Sequence, residues 1–298
     1  NKTRLQQSRE IGVRVTGYRR HLHANAELSF NEHATADYIA GILDEYGIAY
    51  DRIAGTGILA KIEGTGDLKK AVVLRADTDA LPIEEQTGLP FASTNNGAMH
   101  ACGHDMHTAA LLGAMIVLGS NRSNINGTVF GLFQPGEELC PGGASLVLRE
   151  KPFDGYEIEA FIGEHVDPEL PTGVFGFRAG KYMASSDEIR ITVRGEGGHA
   201  AMPQKLKDPV VAAAAIITAL QQVVSRNDNP GMPTVLSVGK LQADGATNII
   251  PDTAYMEGTF RTFDEQWRTA AKKRIREIAE ATAAAYGVTA EVNISDGS

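Results

Sequence analysis

The stretch "MHACGHDMHTAALLGA", Met99–Ala114, sets three histidines, a cysteine and an aspartate within nine positions and then passes directly into apolar residues. The apolar part, "HTAALLGAMIVLG" (107–119), predicts a buried helix with a cluster of metal-ligating side chains at its N-terminal mouth. Working outward, short apolar runs without clean alternation flank it: "GILAKI" (57–62), "AVVLRA" (71–76), "TVFGLF" (128–133) and "AFIG" (160–163). Such runs suit strands covered on both faces, so the expected fold class is α/β, with a mostly parallel sheet flanked by helices. Ahead of them, "SFNEHATADYIAGILDEYG" predicts an amphipathic helix, opened by a Ser29-x-x-Glu32 capping box and stopped at Gly47.

The residues after the strands point to chemistry. "AVVLRA" runs into Asp77 and Asp79, "TVFGLF" into Glu137 and Glu138, and "AFIG" into Glu164 and His165. In open α/β sheets the ligand crevice lies beyond the carboxyl ends of the strands, so these acids and the Cys102–His107 cluster are expected in one layer. Taken singly, each is an ordinary cap or loop residue, and Cys102 a small buried hydrophobe. Together they supply a thiolate, imidazoles and carboxylates suited to zinc-like ions. Adjacent Glu137 and Glu138 allow one carboxylate to bind metal while its neighbour handles a proton.

Whole-chain properties narrow the partners. With 298 residues, 43% hydrophobic and 22% charged, the chain is globular and long enough for two domains. Its net charge of -9, without a basic stripe, argues against nucleic acid and anionic membranes as partners and favours a small soluble ligand. No window reaches the roughly 18 uninterrupted apolar residues of a membrane span. Two cysteines, Cys102 and Cys140, make no disulfide framework, and a cytoplasmic location is expected.

From about Tyr182 the periodicity changes. "SDEIRITVRG", "TVLSVGKLQ", "TAYMEGTFRTF" and "TAEVNIS" read as strands, with helices over "DPVVAAAAIITALQQVVSR" and "DEQWRTAAKKRIREIAEATAAAYG". The order β-α-β-β-α-β is ferredoxin-like, so a catalytic domain over 1–181 and a smaller α+β domain over 182–298 are expected. In the second, a glycine-rich turn presents His199, while Asn248 and Arg261 stand in "ATNIIP" and "GTFRTF".

"RADTDALPI", "MHACGHDMHTAALLGA", "QPGEE", "HVDP", "GGHAAMPQ", "NIIPD" and "GTFRTF", in this order, resemble the M20 metallopeptidase family, in its amidohydrolase branch of N-acyl-amino-acid, hippurate and auxin-conjugate hydrolases. The resemblance implies a catalytic α/β domain interrupted by a lid or dimerisation domain, and a homodimer formed through that lid. It implies Cys102, His104, Glu138 and His165 as ligands of one or two divalent ions (zinc, manganese, cobalt or nickel). Glu137 would be the general base, Asp79 the aspartate behind the metal site, and His199 the lid histidine that reaches the substrate carbonyl. Asn248 and Arg261 would bind the carboxylate end of the substrate. The implied reaction is metal-dependent hydrolysis of N-acyl amino acids. Two departures stand out: Ala26 where relatives carry proline, and Glu164 before His165. Relatives also return to the catalytic domain after the lid, bringing a further histidine, so a second reading is a catalytically silent homologue or fragment that binds metal or an N-acyl amino acid. A zinc base deaminase is excluded because the His-x-Glu with downstream Pro-Cys-x-x-Cys pattern is missing.

Overall fold

A computed structural model describes residues 2–295, and the chain divides into two compact units between Phe175 and Gly176. In the first unit, helices α1 (Arg4–Ala24) and α2 (His33–Glu45) precede strands β1 (Ala49–Ile53), β2 (Gly57–Glu63) and β3 (Lys70–Asp77). Helix α3 (His104–Gly119), strand β4 (Thr128–Gln134), helix α4 (Gly143–Arg149) and strand β5 (Glu157–Gly163) follow. The five strands form one sheet in the order β1-β2-β4-β3-β5.

This sheet is mixed rather than mostly parallel. β3 runs parallel to both β4 and β5, whereas β1 pairs antiparallel with β2, and β2 antiparallel with β4. The cause is the hairpin at Ala54 and Gly55, both with positive φ, which sends β2 back along β1. β1 itself has mixed burial and no apolar run, so hydrophobic patterning does not mark it.

Two cores cover the central strands. Side chains of β4 alternate, Phe133 facing the core shared with α2 and α3, and Phe130 and Leu132 facing the side covered by Val147 of α4. Helix α3 is buried nearly all round: Leu112 and Met115 lie in the α2 side of the core, and Gly113 lets Val15 of α1 come close. β5 departs from the expectation of strands covered on both faces, since Phe161 and Ile162 on this edge strand are more than half exposed.

Parallel register sets where the loops emerge. Asp77 is level with Gln134, and Arg75 with Gly163, so β3, β4 and β5 end together. Their following loops carry Asp79, Glu137 with Glu138, and His165.

The second unit contains β6 (Asp187–Arg194), β7 (Gly198–His199), α5 (Pro209–Leu220), β8 (Thr234–Gln242), β9 (Ile249–Ile250), β10 (Thr253–Thr262), α6 (Glu265–Ala285) and β11 (Thr289–Ile294). Four strands make an antiparallel sheet ordered β11-β6-β10-β8, and β7 pairs separately with β9. Asp208 caps α5 by accepting from Val210 and Val211 N–H, with Pro209 at the first helical position, and Asp264 caps α6 through Trp267 N–H. Both helices cover the sheet through Ala212, Ile216, Ile275 and Ala279. The stretch Pro209–Asn227 has the length and mean hydropathy of a membrane span, yet Ala212, Ala213, Ile216, Leu220 and Val223 are buried in this core.

Candidate metal centre

Three strand ends and one helix mouth assemble the centre. Gly103 opens α3 at φ +93°, and a Cβ there would fall 2.4 Å from Val166 Cγ2, so this position demands glycine on both conformational and steric grounds. The turn delivers Cys102 and His104 to the loop after β5, where Cys102 Sγ lies 3.2 Å from His165 Nε2.

Asp79, fully buried behind the centre, ties its parts together. His104 Nδ1 lies 2.9 Å from the Asp79 carbonyl and 3.2 Å from Asp79 Oδ1, the geometry of an Nδ1–H that donates. Asp79 Oδ2 accepts from Ser29 O–H (2.7 Å) and from Glu138 N–H (2.9 Å). His104 therefore turns Nε2 forward. That atom is buried without a hydrogen-bond partner, as is Glu138 Oε1. They stand 3.8 Å apart, with Asp77 Oδ2 at 3.6 Å and Glu137 Oε2 at 3.9 Å from the same nitrogen.

Buried polar atoms without partners are costly. Ligands about 2.1 Å from a shared ion stand roughly 3 to 4 Å apart, which is the spacing seen here. The donor atoms also lie in overlapping groups, Cys102–His104–His165, Asp77–His104–His107 and His104–Glu137–Glu138. Thiolate, imidazole and carboxylate together fit a divalent ion.

Electrostatics agree with a demand for positive charge. Burial opposes charge on His104, but Asp79, Cys102 and Asp77 outweigh it and hold its pKa at about 11. Asp77 resists the upward push of burial because His107 and Arg75 hold its carboxyl well below the usual range. Glu137 is pushed up, first by burial and then by Glu138 and Asp77. Its neighbours favour the protonated form, a setting for a group that trades a proton.

His107 is placed differently from the ligand atoms. Its Nδ1 lies 2.5 Å from Asp77 Oδ1, and its Nε2 accepts from Val166 N–H at 3.0 Å. His165 Nδ1 lies 2.8 Å from the Val166 carbonyl, which leaves Nε2 facing Cys102. Cys102, His104, Glu137, Glu138, His165 and Asp79 thus come together. Sequence reasoning placed Asp77 in this layer without a role of its own, and read Ser29 and Glu32 as a helix cap. The alternation Asp77-x-Asp79 at a strand end was the available signal for the first, because it directs both acids to one side.

The remaining three residues lie in the second unit. His199 on β7 pairs with Ile249 of β9, and Ala200 N–H donates to the Asn248 carbonyl (2.9 Å), so His199 and Asn248 are neighbours. His199 Nδ1 accepts from Ala201 N–H at 3.2 Å. Gly197 N–H donates to Asp252 Oδ1, which places this small ladder near the start of β10. Arg261 is exposed near the other end of that strand. At about 3.3 Å per residue it stands roughly 26 Å from Thr253, so within the unit it does not join His199 and Asn248.

Comparison with known proteins identifies the family. The sequence pattern of peptidase family M20/M25/M40 matches residues 73–296. The chain is 44% identical over 284 residues to an N-acetyl-L-cysteine deacetylase of Bacillus subtilis, covering 95% of this chain and 67% of that protein. To an N-acyl-L-amino acid amidohydrolase of Geobacillus stearothermophilus it is 39% identical over 289 residues, covering 97% and 77%. Among solved structures, a Bacillus subtilis protein described as a dinuclear metal-binding peptidase of the M20 family is 39% identical and superposes with a TM-score of 0.79, over 97% of this chain and 75% of that one. On this match, and on a centre built from the same stretch of chain, the protein belongs to peptidase family M20/M25/M40.

Proposed function

We propose that the protein hydrolyses the amide bond of N-acyl amino acids, releasing a carboxylic acid and a free amino acid. The observation that carries this reading is the pair of buried, unpartnered atoms His104 Nε2 and Glu138 Oε1, 3.8 Å apart, with Glu137 beside them. The names of the deacetylase and amidohydrolase relatives support the substrate class.

Cys102, His104, Glu138 and His165 would hold one or two divalent ions, with Asp79 fixing the His104 ring through Nδ1. A bound divalent ion supplies Lewis acidity, which makes water more acidic and polarises the amide carbonyl. Glu137 takes a proton from the attacking water as its oxygen bonds to the carbonyl carbon. It then delivers that proton to the amine nitrogen as the C–N bond breaks. Burial and the neighbouring acids raise the basicity of Glu137, which suits both transfers. His199 serves as a donor to the oxygen that gains charge, and Asn248 and Arg261 recognise the substrate's carboxylate end. Since Arg261 lies far along β10 from the other two, this division of labour suits a homodimer joined through the second unit, the exposed β8 edge being available for strand pairing.

The test is hydrolysis of N-acetyl, N-benzoyl and indole-acetyl amino acids by metal-depleted protein, before and after adding manganese, zinc, cobalt or nickel. Metal-restored release of free amino acid is expected. Stoichiometric metal binding without release across the panel would replace this reading with a binding-only homologue.

A further inference from the structure

Ser29 and Glu32 have the spacing of a capping box, but neither caps α2. Glu32 makes no side-chain bond to the helix backbone, and the N–H groups of Ala34 and Thr35 donate instead to the carboxyl oxygens of Glu27, at 3.2 and 2.7 Å. Glu32 is nevertheless completely buried. A buried carboxyl is retained only where both oxygens find donors. Its Oε2 accepts from Thr56 O–H at 2.6 Å, and its Oε1 accepts from Gly136 N–H at 2.7 Å, 104 residues away in sequence.

Gly136 directly precedes Glu137 and Glu138. β4 ends at Gln134, so no strand pairing holds the backbone where these two side chains leave it. Gly136 has φ +56°, and a Cβ there would fall 2.3 Å from the Phe30 ring, so the segment that carries Glu32 also presses on this turn. On the far side of the pair, Glu138 N–H is held by Asp79 Oδ2, which Ser29 O–H also reaches. Residues 29–32 therefore grip the 136–138 turn at both ends, directly through Glu32 and indirectly through Ser29 and Asp79.

We infer that Glu32 is a positioning residue for hydrolysis: by holding Gly136 N–H it aims Glu137 at the reacting water and Glu138 at the ion. The inference rests on the roles proposed above for those two glutamates. A misplacement near 1 Å is enough to cost about a hundredfold in rate.

The experiment compares Glu32→Ala, Glu32→Asp and Glu32→Gln with the unaltered protein, reading kcat, KM and the visible absorption of the cobalt(II)-loaded protein. Glu32→Gln keeps an oxygen in reach of Gly136 N–H, whereas Glu32→Asp is one methylene too short to hold both Gly136 and Thr56. The expected result is a kcat lowered about a hundredfold in the Ala and Asp variants, KM changed by less than about threefold, an altered cobalt spectrum, and recovery of most of the loss in Glu32→Gln. Unaltered kcat and cobalt spectrum in Glu32→Asp would overturn the inference, as would a loss of rate in Glu32→Gln equal to that of Glu32→Ala. If Glu32→Ala does not fold, the Asp and Gln pair decides alone. Glu137→Gln is measured in parallel. Full turnover there would remove the proposed base, while the cobalt spectra of the Glu32 variants would still report whether Glu138 had moved.

Discussion

His107 accepts a hydrogen bond from the backbone N–H of Val166 at Nε2, 3.0 Å away. That one bond joins the first turn of α3 to the loop that carries His165, while Nδ1 of the same ring rests 2.5 Å from Asp77 Oδ1 at the end of β3. Both ring nitrogens are occupied, so His107 is expected to act as a strut and not as a ligand.

His107→Ala should therefore weaken divalent-ion binding by about ten- to a hundredfold without abolishing it, the usual effect of removing a group that orients ligands. Titration with cobalt(II), followed by visible absorption, measures this. Complete loss of binding would make His107 a ligand in its own right.

Glu137→Gln should lower kcat by about two to four orders of magnitude while the protein still binds metal, because the amide preserves shape and cannot accept the proton. Steady-state kinetics beside metal analysis of the same preparation separates the two effects. Retained turnover would rule out Glu137 as the base.

Gly103→Ala should destabilise the fold by about 1–3 kcal/mol, the range for a residue forced into sparsely populated backbone conformations. The added methyl also meets Val166 Cγ2, so metal affinity should fall with stability. Urea unfolding and cobalt titration of the same variant check both. A variant as stable as the parent would show that the turn relaxes at no cost.

Asp187 is expected to contribute to acid stability in the second unit. Its side chain is fully buried, with Arg268 reaching both oxygens at 2.7 and 2.8 Å and Lys272 at 2.5 Å. Burial pushes its pKa up, but the two cations outweigh that and hold it below the ordinary value of 3.8. A depressed folded-state pKa means that this contribution is complete above 3.8 and fades as pH falls through the folded value. Asp187→Asn should flatten that acid limb, and Asp187→Ala, which removes the carboxyl that Arg268 and Lys272 share, should cost about 3 kcal/mol. Urea midpoints followed from about pH 5 to about pH 2.5 test the slope. An unchanged acid limb in Asp187→Asn would assign it to other carboxyls.

What the sequence determined by itself is what short-range chemistry encodes. The helical period of 107–119 and 264–285, the Asp208-Pro209 start of α5, and the acids placed just after apolar runs all depend on neighbours within a few residues. Cys102, His104, Glu137, Glu138 and His165 could be picked out because their spacing to strand ends and to one glycine turn carries the information. Tertiary structure decided the rest. The antiparallel half of the sheet depends on β1, whose residues have no apolar run. Ser29 and Glu32 match a local cap, yet their side chains serve Asp79 and Gly136, 50 and 104 residues away. A side chain's best partner is chosen by which donors the packed fold leaves without water, and that choice is made only when the parallel register of β3, β4 and β5 brings their ends level.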